Sequence, residues 1–191
     1  MSQTAFVSRE LFTQDEFEEW LSELPQKDAN RYELLNGSIV ISPPVTWPYG
    51  NTEARMVREV GNCAVQHQLG EVFGSSTRYR LLSGDTLEPE VSFISDPRLQ
   101  AGPSPRQGKF LEIAPNLVVE ILSTTPAKRD RTKKKDIYER HGVSQYSLVD
   151  ADQREVTVFC FTNGRDSSAL TFCAGAMLTS IVLAPFTIIC S

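Results

Sequence analysis

Apolar and polar positions follow two rhythms along this chain, and the switches between them mark out its elements. Thr13-Gln-Asp-Glu has capping-box spacing, and Phe17, Trp20, Leu21 and Leu24 then recur at helical intervals with Pro25 just beyond, which predicts an amphipathic helix over 13–24. Residues 31–42 read as two strands joined by Asn36-Gly37, a pair that supplies the positive φ of a tight hairpin. Val57, Val60 and Ala64 share one helical face within 51–69, with Gly70 expected to cap that helix. Residues 72–82 and 89–94 then read as an antiparallel pair around Ser83-Gly84-Asp85.

The stretch 97–108 holds three prolines and two glycines and is expected to be an exposed loop over or near a functional site. Residues 116–122, Asn-Leu-Val-Val-Glu-Ile-Leu, form an apolar run of the kind that marks a strand buried on both faces. A helix over 128–141 capped by Gly142 follows, then strands over 145–149 and 155–161 that meet across 150–154. Strand, helix and strand over 116–149 suit a parallel crossover, and the remaining pairs read as antiparallel. The expected fold class is α/β of mixed α+β character, a central mixed sheet flanked by helices. One domain is expected over 1–191, with its N-terminal helix at 13–24, its core at 31–161 and C-terminal strands at 169–190.

Length and composition narrow this little further. The 191 residues are enough for one well-packed core, and 40% hydrophobic with 23% charged residues is ordinary globular usage. The net charge of −5 excludes a surface coated in positive charge, so any nucleic-acid contact must come from a local patch. Cys63, Cys160, Cys173 and Cys190 show no metal-ligand or redox spacing. The first residues carry no secretory pattern, so reduced thiols and a cytoplasmic location are expected. Residues 167–191 contain no charged side chain. Thr171, Gly175, Thr179, Ser180, Pro185 and Thr187 interrupt them, and two buried terminal strands are expected there instead of a membrane anchor.

Candidate chemistry centres on Glu120, whose ionised carboxylate inside an apolar strand costs several kcal/mol unless something compensates it. In an extended strand Glu90 and Ser92 point opposite to Val91 and Phe93, away from that part of the core. If the two strands are neighbours, Glu90 and Glu120 converge, and two hard oxygen donors with water suit Mg²⁺ or Mn²⁺. Asp130, Lys134 and Tyr138 recur every four residues and stack on one helix face. Lys134 is thereby placed to reach a metal-bound water or a scissile phosphate, with Asp130 and Tyr138 holding it. Lys128, Arg129, Arg131, Lys133 and Lys135 form the densest positive charge and are the candidate contacts to a phosphate backbone. Plainer readings stand beside these: Glu120 as the buried ion-pair partner of Lys134, Glu90 and Glu33 as surface acids, and the basic run as a solvated helix face. His67 and His141 receive no role.

Five strings carry a resemblance: Tyr32-Glu-Leu-Leu-Asn-Gly-Ser-Ile-Val, Gly70-Glu-Val-Phe-Gly-Ser, Pro89-Glu-Val-Ser-Phe, Asn116-Leu-Val-Val-Glu-Ile-Leu-Ser and Tyr146-Ser-Leu-Val-Asp. Together, and in this order, they resemble the Uma family, grouped with restriction endonucleases in the PD-(D/E)XK nuclease superfamily. The resemblance implies a restriction-endonuclease-like fold, a DNA substrate, a Mg²⁺-dependent (or Mn²⁺-dependent) site that hydrolyses phosphodiester bonds, and a homodimer, with no organic cofactor and no membrane association. It places Glu90 where the family carries the aspartate of Pro-Asp, and Glu120 at the acid of the second motif. The backbone carbonyl of Ile121 is implied as a further metal ligand. Leu122 stands where the superfamily usually has its lysine, and Asp130, Lys134 and Tyr138 match the family's Asp-x-x-x-Lys-x-x-x-Tyr on the next helix. Glu33 matches the acid before the first hairpin turn. Glutamate for aspartate at position 90, and Tyr49-Gly50-Asn51 where the family often carries a histidine, are departures. They keep open an alternative, a catalytically degenerate module acting in DNA binding or protein interaction as a dimer, and a nuclease acting on RNA or branched DNA is a third reading.

Overall fold

The computed structural model describes residues 6–25, 28–122, 130–162, 165–184 and 186–189. Its elements in chain order begin with β1 (Phe6–Val7), α1 (Gln14–Ser22), β2 (Arg31–Leu35), β3 (Ser38–Ser42), α2 (Tyr49–His67), β4 (Gly70–Gly74), β5 (Tyr79–Arg80) and β6 (Thr86–Leu87). There follow β7 (Val91–Ser95), α3 (Asp96–Ala101), β8 (Leu117–Leu122), a π-helical turn (Asp130–Lys134) running into α4 (Lys135–Arg140), β9 (Gln145–Asp150), β10 (Glu155–Thr162), β11 (Arg165–Cys173), β12 (Met177–Thr179) and β13 (Thr187–Ile189).

Local signals act as the sequence predicts at the N-terminal end. Thr13 Oγ1 accepts the Glu16 backbone N–H, and the Glu16 carboxylate accepts the Thr13 N–H at 2.7 Å, a reciprocal cap that fixes the start of α1. The helix buries Phe17 against Tyr32, Leu34 and Ile39 of the β2–β3 hairpin, whose turn residues Asn36 and Gly37 have φ of 50° and 79°. That hairpin belongs to a five-stranded sheet of order β1-β3-β2-β6-β5.

A six-stranded sheet of order β11-β10-β9-β8-β7-β4 forms the centre of the fold. Strands β8 and β9 are parallel and the other neighbours antiparallel, so the crossover over 116–149 and the mixed sheet are both present. Helix α2 covers one face, setting Val60 and Ala64 against Val91, Phe93, Leu117 and Val119. On the other face Val118, Leu122, Tyr146 and Leu148 pack against Ile137 and Tyr138 of α4 and against Leu35, Val40 and Leu87 of the smaller sheet. Strands β7 and β8 are therefore sandwiched, which is why residues 117–122 are apolar without alternation.

Four expectations are corrected. Glu90 and Ser92 point opposite to Val91 and Phe93 as expected, but Glu90 is not the surface acid of the plainer reading, because the smaller sheet builds a second core on that side; Ser92 is fully buried and its hydroxyl lies 2.5 Å from that of Tyr79. Residues 72–82 are not one strand: β4 pairs with β7 in the central sheet, whereas β5 pairs with β6 in the smaller one. Gln68, at φ 51°, takes the left-handed cap of α2, and Gly70 instead opens β4 at φ 146°, where an added Cβ would sit 2.2 Å from the Ile94 carbonyl oxygen. The segment after residue 95 begins as α3, with proline in its first turn, so the exposed loop expected over 97–108 is confined to 102–108.

At the C-terminal end β11 extends the central sheet, and β12 and β13 form a separate antiparallel pair. Leu178, Leu183 and Phe186 are buried, while Leu170, Met177 and Ile181 are exposed, so only one side of the expected terminal strands is covered. Among the described residues no helix is long and apolar enough to cross a membrane. Cys63, Cys160 and Cys173 are free thiols, and Cys190 lies outside the described residues.

Candidate active site

The register of β7 against β8 pairs Val91 with Val119 and Ser92 with Val118. One step further along that register, Glu90 faces Glu120 on the side turned towards the smaller sheet. Strand β2 supplies Glu33 from that smaller sheet, and the junction of the π-helical turn with α4 supplies Lys134. All four are within 4% of full burial. A π-helical turn shifts the helical register by one residue, and such turns recur where a side chain must be aimed.

Lys134 Nζ lies 2.9 Å from Glu120 Oε1 and 2.9 Å from Glu33 Oε1. One helical turn later the Tyr138 hydroxyl donates to the same Glu120 oxygen at 3.0 Å, so the four-residue spacing aligns Lys134 and Tyr138 as expected. Burial, and then the charge of Glu120, push the Tyr138 phenol well above its ordinary range, which keeps it a hydrogen-bond donor at neutral pH. Glu33 Oε1 also accepts the Glu88 backbone N–H at 2.9 Å. The carboxylate at the heart of the apolar strand is thus compensated by a lysine, a phenol and its neighbours, the condition under which a buried charge persists.

Glu90 is engaged on both oxygens. Its Oε2 accepts the Ile121 backbone N–H at 3.0 Å, and its Oε1 meets the guanidinium of Arg31. Burial works to raise the Glu90 carboxyl, but Arg31, the adjoining Glu120 carboxyl and Lys134 outweigh it, and the net shift is downward. Burial likewise opposes the charge on Arg31, and Glu90, Glu33 and Glu120 together hold that guanidinium well above its usual value.

Sequence reasoning missed three members of this cluster, Arg31, Glu88 and Arg78. Arg31 stands two residues before Glu33 on the same strand, and the period of two places both side chains on one face. Glu88 flanks Pro89 on the side opposite Glu90; its carboxylate is buried 3.4 Å from Arg78 Nε, and neither Glu88 Oε2 nor Arg78 Nε has a hydrogen-bond partner among the described residues. Burial raises the Glu88 carboxyl. In all, Glu33, Glu88, Glu90 and Glu120 meet Arg31, Arg78 and Lys134, so the fully ionised cluster carries one negative charge in excess.

The basic segment is only partly described. Lys128 and Arg129, and the side chains of Asp130 and Arg131, lie outside the described residues. Lys133 is exposed. Lys135 is folded back on its own surface, 3.4 Å from Glu139 and 5.4 Å from the ring centres of both Phe159 and Phe161. The Nδ1 of His141 bonds the Ile137 carbonyl at 2.7 Å near the end of α4. A cavity of about 380 Å³ lies across the central sheet from the acidic cluster, between α2 and the C-terminal segment, with Met56, Val119, Ser147 and Phe186 among its lining. None of the clustered acids borders it.

Comparison with known proteins supplies a family. The Uma2 family, described as "putative restriction endonuclease", matches residues 14–184. No curated protein matches the chain. A crystal structure titled as a "putative nuclease belonging to DUF820" from Anabaena variabilis superposes with a TM-score of 0.76 at 20% identity, covering 93% of this chain and 94% of that one. At that identity the likeness speaks to the fold alone, a nuclease-like arrangement of mixed sheet and helices.

Proposed function

This chain belongs to the Uma2 family, and from that membership together with the buried carboxylate cluster we propose that it is a divalent-cation-dependent DNA endonuclease. The observation that carries the reading is the convergence of Glu90, Glu120 and Lys134 from separate segments of the chain in one buried cluster. Structural ion pairs alone rarely gather four acids around three cations, because each buried charge costs more than a well-packed apolar side chain.

The donor set suits a hard cation. The cluster's acids are all oxygen donors, and its excess negative charge favours adding positive charge. Among the described residues no three such groups sit close enough to enclose an ion by themselves, so Mg²⁺ or Mn²⁺ would be held by Glu90 and Glu120 with the Ile121 carbonyl and water. When bound, the ion supplies a lowered water pKa and charge stabilisation at a phosphoryl oxygen. Lys134 then orients the attacking oxygen and offsets charge developing on the phosphate. Glu33 and Tyr138 fix the positions of Lys134 and Glu120. Lys133, with the neighbouring Lys128, Arg129, Arg131 and Lys135, is assigned to the phosphate backbone, contacts that position the duplex without reading sequence. A homodimer in the cytoplasm completes the proposal.

A second reading rests on one observation. Arg31 and Lys134 already neutralise Glu90 and Glu120, as they would in a module that binds DNA without cutting it. Nicking of supercoiled plasmid in Mg²⁺ or Mn²⁺, against an EDTA control, separates the two. The proposal expects metal-dependent nicking by the native protein and a loss of at least about a hundredfold in Glu120→Gln, which keeps the side-chain shape. Equal nicking by both proteins refutes it, and DNA binding without nicking by the native protein favours the module.

A further inference from the structure

We propose that Arg31 and the divalent cation compete for Glu90, and that the displaced guanidinium becomes the contact to the substrate phosphate. The inference rests on the reading of this cluster as a nuclease site. Both oxygens of Glu90 are already engaged: Oε2 holds the Ile121 N–H at 3.0 Å and Oε1 holds Arg31. A cation that takes Glu90 as a ligand shares those oxygens with both partners, and the charged one, the guanidinium, repels it. The Ile121 amide belongs to the backbone of β8, held there by its pairing with Val149 of β9, so it stays. Arg31 stands at the first position of β2, and its second contact, to the Glu88 carbonyl, is long at 3.4 Å. Its side chain is 19% exposed, against 1% for Lys134. Of the two cations on the central carboxylates, Arg31 is the one with a path to solvent.

Charge leads to the same assignment. With all seven groups ionised the cluster stands at one negative charge, and a divalent ion would turn this to one positive charge in a site of low polarity. Like charges at such short range disfavour that state strongly. Moving the guanidinium outwards relieves it, and a phosphodiester at the surface beside Arg31 supplies the anion it then meets. The planar fork of arginine matches phosphate oxygens two at a time, which lysine does not. Arg31 thus ties cation loading to substrate engagement: the ion releases the arginine, and the phosphate receives it.

The test measures Mn²⁺ binding by titration calorimetry for the native protein, Arg31→Met, Arg31→Lys and Arg31→Met/Glu90→Gln, with urea unfolding of each to establish that it is folded. Duplex oligonucleotide affinity is measured in Ca²⁺. Arg31→Met is expected to bind Mn²⁺ at least about tenfold more tightly than the native protein and duplex DNA at least about fivefold more weakly. The gain in Mn²⁺ affinity is expected to vanish in the double variant. Arg31→Lys, which keeps the charge and protects against loss of the fold, is expected to fall between native and Arg31→Met for Mn²⁺ and to share the weakened DNA binding. Equal or weaker Mn²⁺ binding by Arg31→Met overturns the inference while leaving the metal site standing. Absence of Mn²⁺ binding in every variant overturns both. Tighter Mn²⁺ binding by Arg31→Met in a protein that never nicks DNA supports the competition and removes the nuclease reading.

Discussion

Replacing Lys134 by methionine keeps most of the side-chain volume and removes one charge. In the native protein that ammonium is 1% exposed and bridges Glu33 and Glu120, each at 2.9 Å. Its loss strands two carboxylates that are 2% and 0% exposed. Removing one partner of a buried ion pair costs about 3–5 kcal/mol, because the remaining charge keeps its desolvation penalty. Two contacts limit the damage: the Tyr138 hydroxyl still donates to Glu120 at 3.0 Å, and the Glu88 amide still donates to Glu33 at 2.9 Å. The expected loss is therefore near the lower bound, about 3 kcal/mol, a large share of the 5–15 kcal/mol typical of a folded domain. Urea unfolding at neutral pH measures it as a fall in midpoint at constant slope. The double variant Lys134→Met/Glu120→Gln removes the stranded charge, and is expected to recover about 1–2 kcal/mol of the loss. A Lys134→Met midpoint equivalent to within about 0.5 kcal/mol of native, or a double variant no more stable than the single, refutes the view that this lysine compensates the buried acids.

Glu90 and Glu88 should affect the pH dependence of stability with opposite signs. The folded-state carboxyl of Glu90 is lowered, so its contribution is present above the ordinary carboxylate range and is lost as pH falls through the folded value; that of Glu88 is raised, so its contribution is present at low pH and is lost as pH rises through the folded value. Unfolding free energies of Glu90→Gln and Glu88→Gln from pH 3 to 7, relative to native, are expected to slope in opposite directions, and parallel slopes contradict the assignment. Gly70→Ala forces a methyl group to 2.2 Å from the Ile94 carbonyl at a φ of 146° and is expected to cost at least about 2 kcal/mol in the same urea assay. Lys133→Ala is expected to lower the salt dependence of DNA affinity by about one phosphate contact. Lys135→Ala, whose ammonium already faces Glu139 and two phenylalanine rings, is expected to change it less, and the reverse order would move the DNA contact off Lys133.

Much of the fold is legible locally. The capping box at Thr13 and the Asn36-Gly37 turn act through neighbours three residues away or fewer, so their signals survive without tertiary knowledge. Glu120 is legible because a charge in an apolar run needs a partner, and the i, i+4 pair Lys134 and Tyr138 supplies one. Other features depend on contacts that sequence order hides. Glu90 and Ser92 alternate with apolar residues as a half-exposed strand would, yet β2, β3, β5 and β6 return from elsewhere in the chain to cover them. Arg31 pairs with an acid 59 residues away, and nothing near Arg31 announces that contact. Gly70 shows how one residue type serves two ends: a cap and a close backbone approach both favour glycine, and only the position of Ile94 decides between them.

Anomalous diffraction from a crystal soaked in Mn²⁺ locates the cation relative to the Glu90 and Glu120 carboxylates. A manganese peak is expected within coordination distance of both Glu90 and Glu120, with Arg31 withdrawn from Glu90 and Lys134 still bonded to Glu33. A soaked crystal with no peak at these carboxylates, and Arg31 still seated on Glu90, would contradict it.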